Sequence, residues 1–251
     1  FEIRQTVKTL QRDYLCEGAE AYYDDSIDVY TSVKIAIEWP EKMGDNDIKV
    51  LQDSLLAASF DSVVPGDIDR TMILSAERPE GIDMFKLKVV DSIPSTSLVR
   101  VYLRNLIVSA ITFSPEFIVY QIMTETYEGG AHGMYESHYI NYSFANAKVI
   151  SNSDAFIAGK EETLLQAVKD CLMTQCNVSS MKGLEELGFF TDQIYVTNNF
   201  FIRGYNIIFH YNPYAIAPYS HGSIDVVVPY YQIEDCLTPE IKQLIIKGAN
   251  F

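Results

Sequence analysis

The sequence predicts an α+β protein, with antiparallel sheets and a few packed helices arranged as two closely associated subdomains. Two observations predict this class: several runs alternate apolar and polar side chains as strands do, and other runs repeat apolar residues at helical spacing. The strand-like runs of the later part are joined by short turns, which favours antiparallel pairing. With 251 residues, 48% of them hydrophobic, the chain can bury one large core or two smaller ones. We place the subdomains at residues 1–143 and 144–251.

The first subdomain begins, within residues 1–30, with a predicted edge strand followed by an exposed acidic loop. Residues 32–39 alternate strictly, so we expect a half-buried strand that ends at Pro40, because proline cannot donate to a sheet ladder. Asn46 is expected to cap a helix whose apolar residues recur at helical spacing. Residues 67–78 predict a second short helix.

Residues 98–151 predict an antiparallel meander of long strands, because the turns between them are too short for crossovers. The clearest helix follows at residues 160–176, where apolar side chains form one stripe. Two further strands are expected at residues 193–197 and 200–205, with an Asn-Asn turn between them. A closing helix is expected to start with Pro239 in its first turn.

The stretch at residues 205–222 starts as an alternating strand and then meets two prolines surrounded by tyrosines. Neither proline can donate to a ladder, so we expect a stiffened loop and a return strand over residues 224–231. Proline lowers the entropy lost when rings are presented to a partner, and tyrosine combines contact area with a polar tip. Our central hypothesis is that this loop is a recognition surface; the alternative is that its rings only cover the end of a sheet. The predicted contact residues are Tyr211, Asn212, Pro213, Tyr214, Ile216, Ala217, Pro218, Tyr219 and His221.

A glycine-rich turn, Tyr-Glu-Gly-Gly-Ala-His-Gly, is predicted between two strands of the meander. Adjacent glycines permit positive φ angles and the close approach of another backbone. The pattern is not G-x-G-x-x-G and no helix is predicted after it, so phosphate binding is not expected. His132 is expected to bond a backbone carbonyl and brace the turn; the alternative pairs it with Glu125 or Glu128 as a catalytic base. The structural residues of this motif are Tyr127, Gly129, Gly130, His132 and Gly133.

The chain is strongly acidic, since 19 basic and 34 acidic residues give a formal net charge of −15. This charge argues against binding nucleic acid, whose phosphates need a basic surface, and against docking on anionic lipid. It favours a cationic partner, which long-range attraction would steer, although acidic surfaces also serve solubility alone. No apolar run approaches the roughly 20 residues of a membrane-spanning helix. The chain starts without methionine, and we expect that an export signal upstream of Phe1 has been removed.

The sequence contains no motif with a catalytic mechanism, neither G-x-S-x-G nor H-E-x-x-H, so we predict no catalytic residue and no cofactor. The histidines show no metal-ligand spacing, and no metal site is predicted. They are His132, His138, His210 and His221. The cysteines contain no C-x-x-C pair. Cys171 is expected in the core, and a disulfide between Cys16 and Cys236 in an oxidising compartment is left open.

Several of these stretches resemble the RsiV-like extracytoplasmic family. Residues 127–133 resemble its Tyr-x-Gly-Gly-Ala-His-Gly motif, and residues 211–222 resemble its Tyr-x-x-Tyr-Glu-Ile-Ala-Pro-Tyr-Ala-Ala-Gly motif. Residues 153–156 resemble its Asp-Leu-Phe turn. The matching loop residues are Tyr214, Ile216, Ala217, Pro218 and Tyr219. Ala215 stands where the family has glutamate, and Ser220 and His221 replace its small residues, so the partner's identity stays open.

The resemblance implies a two-part α+β protein outside the cytoplasm, anchored to lipid upstream of Phe1. Relatives in this family include the lysozyme-sensing ectodomain of an anti-sigma factor and the non-catalytic region of a peptidoglycan deacetylase. The resemblance therefore implies a non-catalytic binding module for lysozyme or another cell-wall hydrolase. Three alternatives stand beside it: a protein that binds cell-wall glycan, a peptidoglycan-acting enzyme that uses His132 or His221, and a structural part of an envelope assembly.

Overall fold

The computed structural model of the protein describes residues 2–19, 27–77, 85–95 and 99–249. These residues form two sheets and six α-helices, which confirms the predicted α+β class. The strands of the larger sheet are β1 (Ile3–Glu17), β2 (Asp28–Met43), β3 (Lys86–Val90), β4 (Val99–Phe113), β5 (Phe117–Tyr127), β6 (Met134–Ser143) and β7 (Lys148–Val149). Their spatial order is β3-β1-β2-β4-β5-β6-β7. All neighbours in this order are antiparallel except β2 and β4, which are parallel.

The N-terminal strand lies inside the sheet rather than at its edge. β1 pairs with β2 along nearly its whole length, and its last residues also pair with β3. The prediction of an edge strand is therefore wrong, because the strand that covers β1 comes much later in the chain. The acidic loop predicted after β1 falls mostly on residues 20–26, outside the described residues.

β2 continues through Pro40, where we expected it to end. The pairing of β2 with β4 stops at Ile37, so beyond that point the strand pairs with β1 alone and tolerates a residue without an N–H. On the β1 side the register shifts, since Gln5 lies opposite Pro40 and Arg4 lies opposite Lys42. This bulge lets the strand pass the proline.

Two helices, α1 (Lys49–Ser59) and α2 (Ile68–Glu77), cover one face of the large sheet. Both were predicted, but Asn46 does not cap α1. Its side chain bonds back to the carbonyl of Met43, and the carboxylate of Asp47 accepts from the first helical amide instead, at 3.0 Å.

β5 separates two hydrophobic cores because its side chains alternate between the faces of the large sheet. Ile118 and Tyr120 pack with α1 and α2, whereas Phe117 and Val119 pack with the C-terminal part of the chain. The predicted antiparallel meander is confirmed for β4, β5, β6 and β7. Because β7 pairs with β6 across residue 143, the large sheet extends past the predicted boundary, and the division into subdomains stays a prediction.

The C-terminal part combines a small antiparallel sheet with helices. Its elements are α3 (Asn152–Ala155), α4 (Glu161–Gln175), α5 (Met181–Glu186), β8 (Phe200–Arg203), β9 (Asn206–Tyr211), β10 (Ile224–Pro229) and α6 (Pro239–Gly248). The long helix and the closing helix were both predicted. α4 packs on β10 of the small sheet, and α6 contributes to the same hydrophobic core. The strand predicted at residues 193–197 is wrong, because this segment is irregular after a short 3-10 turn. The hairpin turn is at Gly204 and Tyr205 instead, where Gly204 has φ +56°.

Side-chain amides close free edges of the small sheet. Asn141, on β6, donates to the carbonyl of Phe200 at 2.7 Å and accepts from the amide of Ile202 at 3.0 Å, so it pairs with the outer edge of β8. Gln175, at the end of α4, makes the same pair of bonds to β10, at 2.9 and 2.7 Å. Backbone groups at a covered edge need partners, and these amides take the place of further strands.

Most of the Ser-Asp-Ala-Phe run lies in α3, which holds the start of α6. Ser151 caps α3, and the carboxylate of Asp154 accepts from the amide of Ser151 at 2.9 Å, which completes a capping box. Lys148 bonds the same carboxylate at 2.8 Å. The bonds from Lys148 and then Ser151 lower the pKa of Asp154 to about 2. Thr238, the N-cap of α6, bonds the Asp154 carbonyl at 2.7 Å.

Replacing Asp154 with asparagine should lower the free energy of unfolding at neutral pH by roughly 1–2 kcal/mol. The carboxyl has an ordinary pKa of 3.8 and a folded-state pKa of about 2, so its contribution is present above pH 3.8 and is lost as the pH falls through 2. We therefore expect the difference between wild type and variant, measured by urea unfolding, to shrink over that range. Asp53→Asn, at an exposed ion pair on α1, is the control. A difference for Asp154→Asn that does not change with pH would contradict this assignment.

None of the helices in the described ranges has the length and apolar character needed to cross a membrane.

All four cysteines carry free thiols. Cys16 lies in a small cluster with Phe85 and Tyr102, whereas Cys236 lies in the C-terminal core, so the disulfide left open by the sequence is not formed. Cys171 lies in the C-terminal core, which confirms the prediction that it is a core residue. Burial raises the pKa of the Cys16 thiol to about 11, which makes it a weak nucleophile.

Candidate functional site

The glycine turn and the proline–tyrosine loop, far apart in the sequence, meet on one surface. The imidazole of His132 stacks on the ring of Tyr219, with 3.8 Å between the ring centroids and 16° between the planes. The ring of Tyr214 lies 5.6 Å from that of Tyr219, and its hydroxyl is 3.5 Å from Nε2 of His132. We call these three residues the ring cluster. His132 and Tyr214 are exposed and Tyr219 is partly buried, so the cluster is open to solvent.

Asn212 begins the loop and fastens it to β6. Its side-chain oxygen accepts from the amide of Ser137 at 2.8 Å and lies 3.0 Å from Nε2 of His210. Nδ1 of the buried His210 lies 2.6 Å from the carboxylate of Asp225. Asn212, which we predicted as a contact residue, therefore uses its side chain inside the protein.

Four of the predicted contact residues are buried, namely Tyr211, Pro213, Ile216 and Ala217. Ile216 and Ala217 are 0% and 2% exposed and belong to the C-terminal core. The hydroxyl of Tyr211 donates to the carbonyl of Tyr195, and burial raises the pKa of Tyr211. The prediction that these four side chains contact a partner is wrong, because they pack the loop onto the core.

The end of the loop is held by His221. Its Nε2 lies 2.9 Å from the carbonyl of Leu187, and its ring meets that of Phe189 edge-on at 5.3 Å. Pro218, which is partly buried, precedes the short 3-10 turn that carries Tyr219 and His221. The imidazole of His221 is thus engaged with the segment after α5 rather than with the ring cluster.

Gly222 lets the loop close over Tyr135, a residue of β6. Its φ of +68° and ψ of −156° lie in a region that only glycine adopts readily. A Cβ atom at this position would lie 2.8 Å from the Tyr135 hydroxyl, which accepts from the amide of Ser223 at 3.2 Å. The ring of Tyr135 in turn meets Tyr219 edge-on at 6.1 Å, so β6 supports the ring cluster directly.

The glycine turn has the backbone that its sequence predicts. Gly129 and Gly130 have φ angles of +87° and +96°, and the hydroxyl of Tyr127 donates to the carbonyl of Gly130 at 3.2 Å. Side chains other than glycine rarely adopt these angles, so the turn depends on both glycines.

His132 bonds a backbone carbonyl, as expected, since its Nδ1 lies 2.9 Å from the carbonyl oxygen of Gly133. The same oxygen accepts from the hydroxyl of Tyr219 at 2.7 Å, which joins the loop to the turn. A Cβ atom on Gly133 would lie 2.7 Å from the carbonyl oxygen of Thr126, so the close approach of these backbones requires glycine.

The alternative that pairs His132 with a glutamate as a catalytic base is not formed. Glu125 bonds Asn105 at 3.0 Å, and Glu128 pairs with Arg104 at 3.0 Å. Across the part of the chain that the structure describes, no three His, Cys, Asp or Glu side chains are arranged to hold a metal ion. The ring cluster offers stacking faces, a tyrosine hydroxyl and an imidazole nitrogen to solvent.

Sequence reasoning missed the amides that bring the two motifs together. The side chain of Asn199 donates to the carbonyl of Ser137 at 2.6 Å and accepts from the amide of Tyr139 at 3.1 Å. Like Asn212, it therefore bonds the backbone of β6. The sequence predicts Asn198 and Asn199 only as turn residues. Asn199 lies beside an edge of β6 because of the tertiary fold, and no spacing in the sequence indicates this position.

A family model described as "Protein of unknown function (DUF3298)" matches residues 153–231, which include most of α3 and all of α4, the small sheet and the loop. The crystal structure of a DUF3298 family member from Bacteroides fragilis resembles this one with a TM-score of 0.73 and 21% identity, over 98% of both chains. A DUF3298 family protein from Pseudomonas aeruginosa has a TM-score of 0.61 and 14% identity, over 95% of this chain and 96% of that one. At these identities the likeness shows the shared fold. No curated protein matches the chain.

Proposed function

We propose that this chain is a recognition module, without catalytic activity of its own, that binds a cationic protein through the ring cluster. The proposed partner is lysozyme or another cell-wall hydrolase, as the resemblance to the RsiV-like family implies. The observation that carries the proposal is the convergence of ring-bearing motifs from two distant parts of the sequence on one exposed surface. The proposal includes a location outside the cytoplasm with a lipid anchor upstream of Phe1, which rests on the resemblance alone.

The backbone of Tyr214 supports this proposal. Its φ angle is +69°, a conformation that costs an L-residue roughly 1–2 kcal/mol and that glycine would adopt freely. The side chain is 49% exposed, so its packing offsets little of this conformational cost. A strained residue that presents its ring to solvent is typical of a functional loop rather than of a stabilising one.

The charge of the chain supports a cationic partner. The formal net charge is −15, and the carboxylates of Glu128, within the glycine turn, and of Glu136, shortly after it, are about half exposed. Such a surface would steer a basic protein toward the ring cluster, and salt would screen the attraction.

Calorimetric titration with lysozyme tests the proposal. We expect binding at low ionic strength that weakens as salt is added. Tyr214→Gly removes the ring and also the backbone strain, so it should weaken binding by about tenfold or more without lowering the melting temperature. Tyr231→Ala is the matched control, because Tyr231 is 72% exposed and lies outside the loop. We expect Tyr231→Ala to bind lysozyme with the affinity of the wild type.

Each titration tests one part of the proposal. Absence of heat at low ionic strength would remove lysozyme as the partner. Equal affinity of wild type and Tyr214→Gly would remove the ring cluster. A parallel titration with a soluble cell-wall glycan covers the alternative, and glycan binding that Tyr214→Gly abolishes would replace the protein partner with glycan.

A further inference from the structure

Two cavities lie side by side along the irregular segment that precedes β8. The first, of about 410 Å³, is lined by Phe156, Leu164 and Val196 beside the start of α4. The second, of about 410 Å³, is lined by Tyr139 and Tyr195 beside β6. Asn198 lies in the wall of both. We call the two cavities together the amide groove.

The lining of the amide groove mixes apolar surface with polar groups, and few of those polar groups are charged. Lys160 and Glu161 lie at one end, and the other end carries two histidines. The remaining polar groups are hydroxyls and four asparagine amides. The amides of Asn199 and Asn212 already bond β6, which leaves those of Asn152 and Asn198 for a ligand. In a chain with a net charge of −15, a groove of this kind suits a neutral ligand that is rich in hydrogen-bonding groups.

Asn198 is presented at the junction of the two cavities. Its side-chain oxygen accepts from the amide of Asn152 at 2.6 Å, which orients both side chains. An amide has two donors and two acceptor positions, so this single bond leaves donors on Asn198 and acceptor capacity on Asn152. Asn198 is exposed, and these groups are therefore accessible to a ligand.

Tyr195 supplies a ring that is already held in place. The side chain is 49% exposed, and it meets the buried ring of Tyr211 edge-on at 5.6 Å and 85°. The carbonyl of Tyr195 accepts from the Tyr211 hydroxyl, which fastens the backbone at the same point. A ring that is ordered before the ligand arrives loses little entropy on binding.

A peptide that adds a strand to a sheet does not fit here. The edges of β6 and β8 beside the groove are closed by Asn141, Asn199 and Asn212, so the backbone groups that strand addition needs are occupied. The remaining features are ring faces and side-chain amides, which favour a ligand with hydroxyl or acetamido groups on rings.

We propose that the amide groove binds an uncharged oligosaccharide chain, with one sugar ring on Tyr195 and polar substituents bonded to Asn198 and Asn152. None of the three residues of the ring cluster lines the groove, and the inference does not depend on the partner proposed for that cluster.

The test is a titration with a β-1,4-linked N-acetylglucosamine tetramer and a maltose-type tetramer, followed by nuclear magnetic resonance of the asparagine side-chain amides. We expect at least one tetramer to bind and to shift the amide signals of Asn198 and Asn152. Tyr195→Ala should weaken that binding by roughly tenfold, and Tyr195→Phe, which keeps the ring, should retain it. Tyr231→Ala and Tyr214→Gly, which lie outside the groove, should bind as the wild type does.

Three outcomes would overturn the inference. The first is that neither tetramer binds at roughly millimolar concentration. The second is that Tyr195→Ala binds as tightly as Tyr195→Phe. The third is that Tyr214→Gly abolishes binding while Tyr195→Ala does not, which would place the sugar on the ring cluster.

Discussion

Replacing Asn141 with leucine is expected to lower the free energy of unfolding by about 2–4 kcal/mol. Asn141 is 2% exposed, and its side chain hydrogen-bonds the carbonyl of Phe200 and the amide of Ile202. These two residues are themselves 2% and 0% exposed. Leucine has a similar volume but can form neither hydrogen bond, so two buried backbone groups would be left without partners. In a protein of this size the loss corresponds to a fall of roughly 5–15 °C in the melting temperature, which calorimetry measures directly.

Glu136→Leu is the matched control for Asn141→Leu. It introduces the same side chain on the same strand at a position whose side chain is 54% exposed. We expect its stability to stay within about 0.5 kcal/mol of the wild type. A melting temperature for Asn141→Leu equal to that of the control would show that the amide does not serve as the missing strand beside β8.

Gly222→Ala is the second change with a large expected effect, on both stability and binding. The backbone conformation at Gly222 costs any other residue about 1–3 kcal/mol. The new methyl group would also lie 2.8 Å from the Tyr135 hydroxyl, so Tyr135 must move and its bond to the amide of Ser223 is lost. Because Tyr135 supports Tyr219, we expect loss of partner binding together with a destabilisation of roughly 2–4 kcal/mol, measured by urea unfolding and titration.

Two variants separate the causes of this effect. Gly204→Ala has a positive φ of +56° but open space around the new methyl group, so it should cost only about 1–2 kcal/mol. Tyr135→Phe in the Gly222→Ala background removes the crowded hydroxyl and should restore part of the stability. If the double variant is no more stable than Gly222→Ala, the contact with Tyr135 is not the cause.

Patterns within single elements allowed much of the fold to be predicted. The stripe of α4, the Thr238-Pro239 start of α6 and the meander all depend on spacing or on turn chemistry that neighbouring residues share. The turn at Gly129 and Gly130 could be predicted for the same reason, since its backbone follows from residue types alone.

Features that depend on distant residues could not be predicted. β1 is covered by β3, and Pro40 is tolerated because β2 lacks a second partner at that point. In the loop, the sequence marks rings and prolines but does not tell an exposed Tyr214 from a buried Ile216, because burial is decided by the sheet beneath. The meeting of His132 with Tyr219 depends on amides of Asn199 and Asn212 that bond β6.

Site-specific photocrosslinking is the most direct test of the claim that the ring cluster is the recognition surface. A photoreactive phenylalanine derivative is placed at position 214 or, as a control that is also exposed but lies outside the loop, at position 231, and cells that produce the protein are irradiated. The account predicts a crosslinked partner from position 214 and none of the same size from position 231. The same adduct from both positions, or an adduct from position 231 alone, would contradict it.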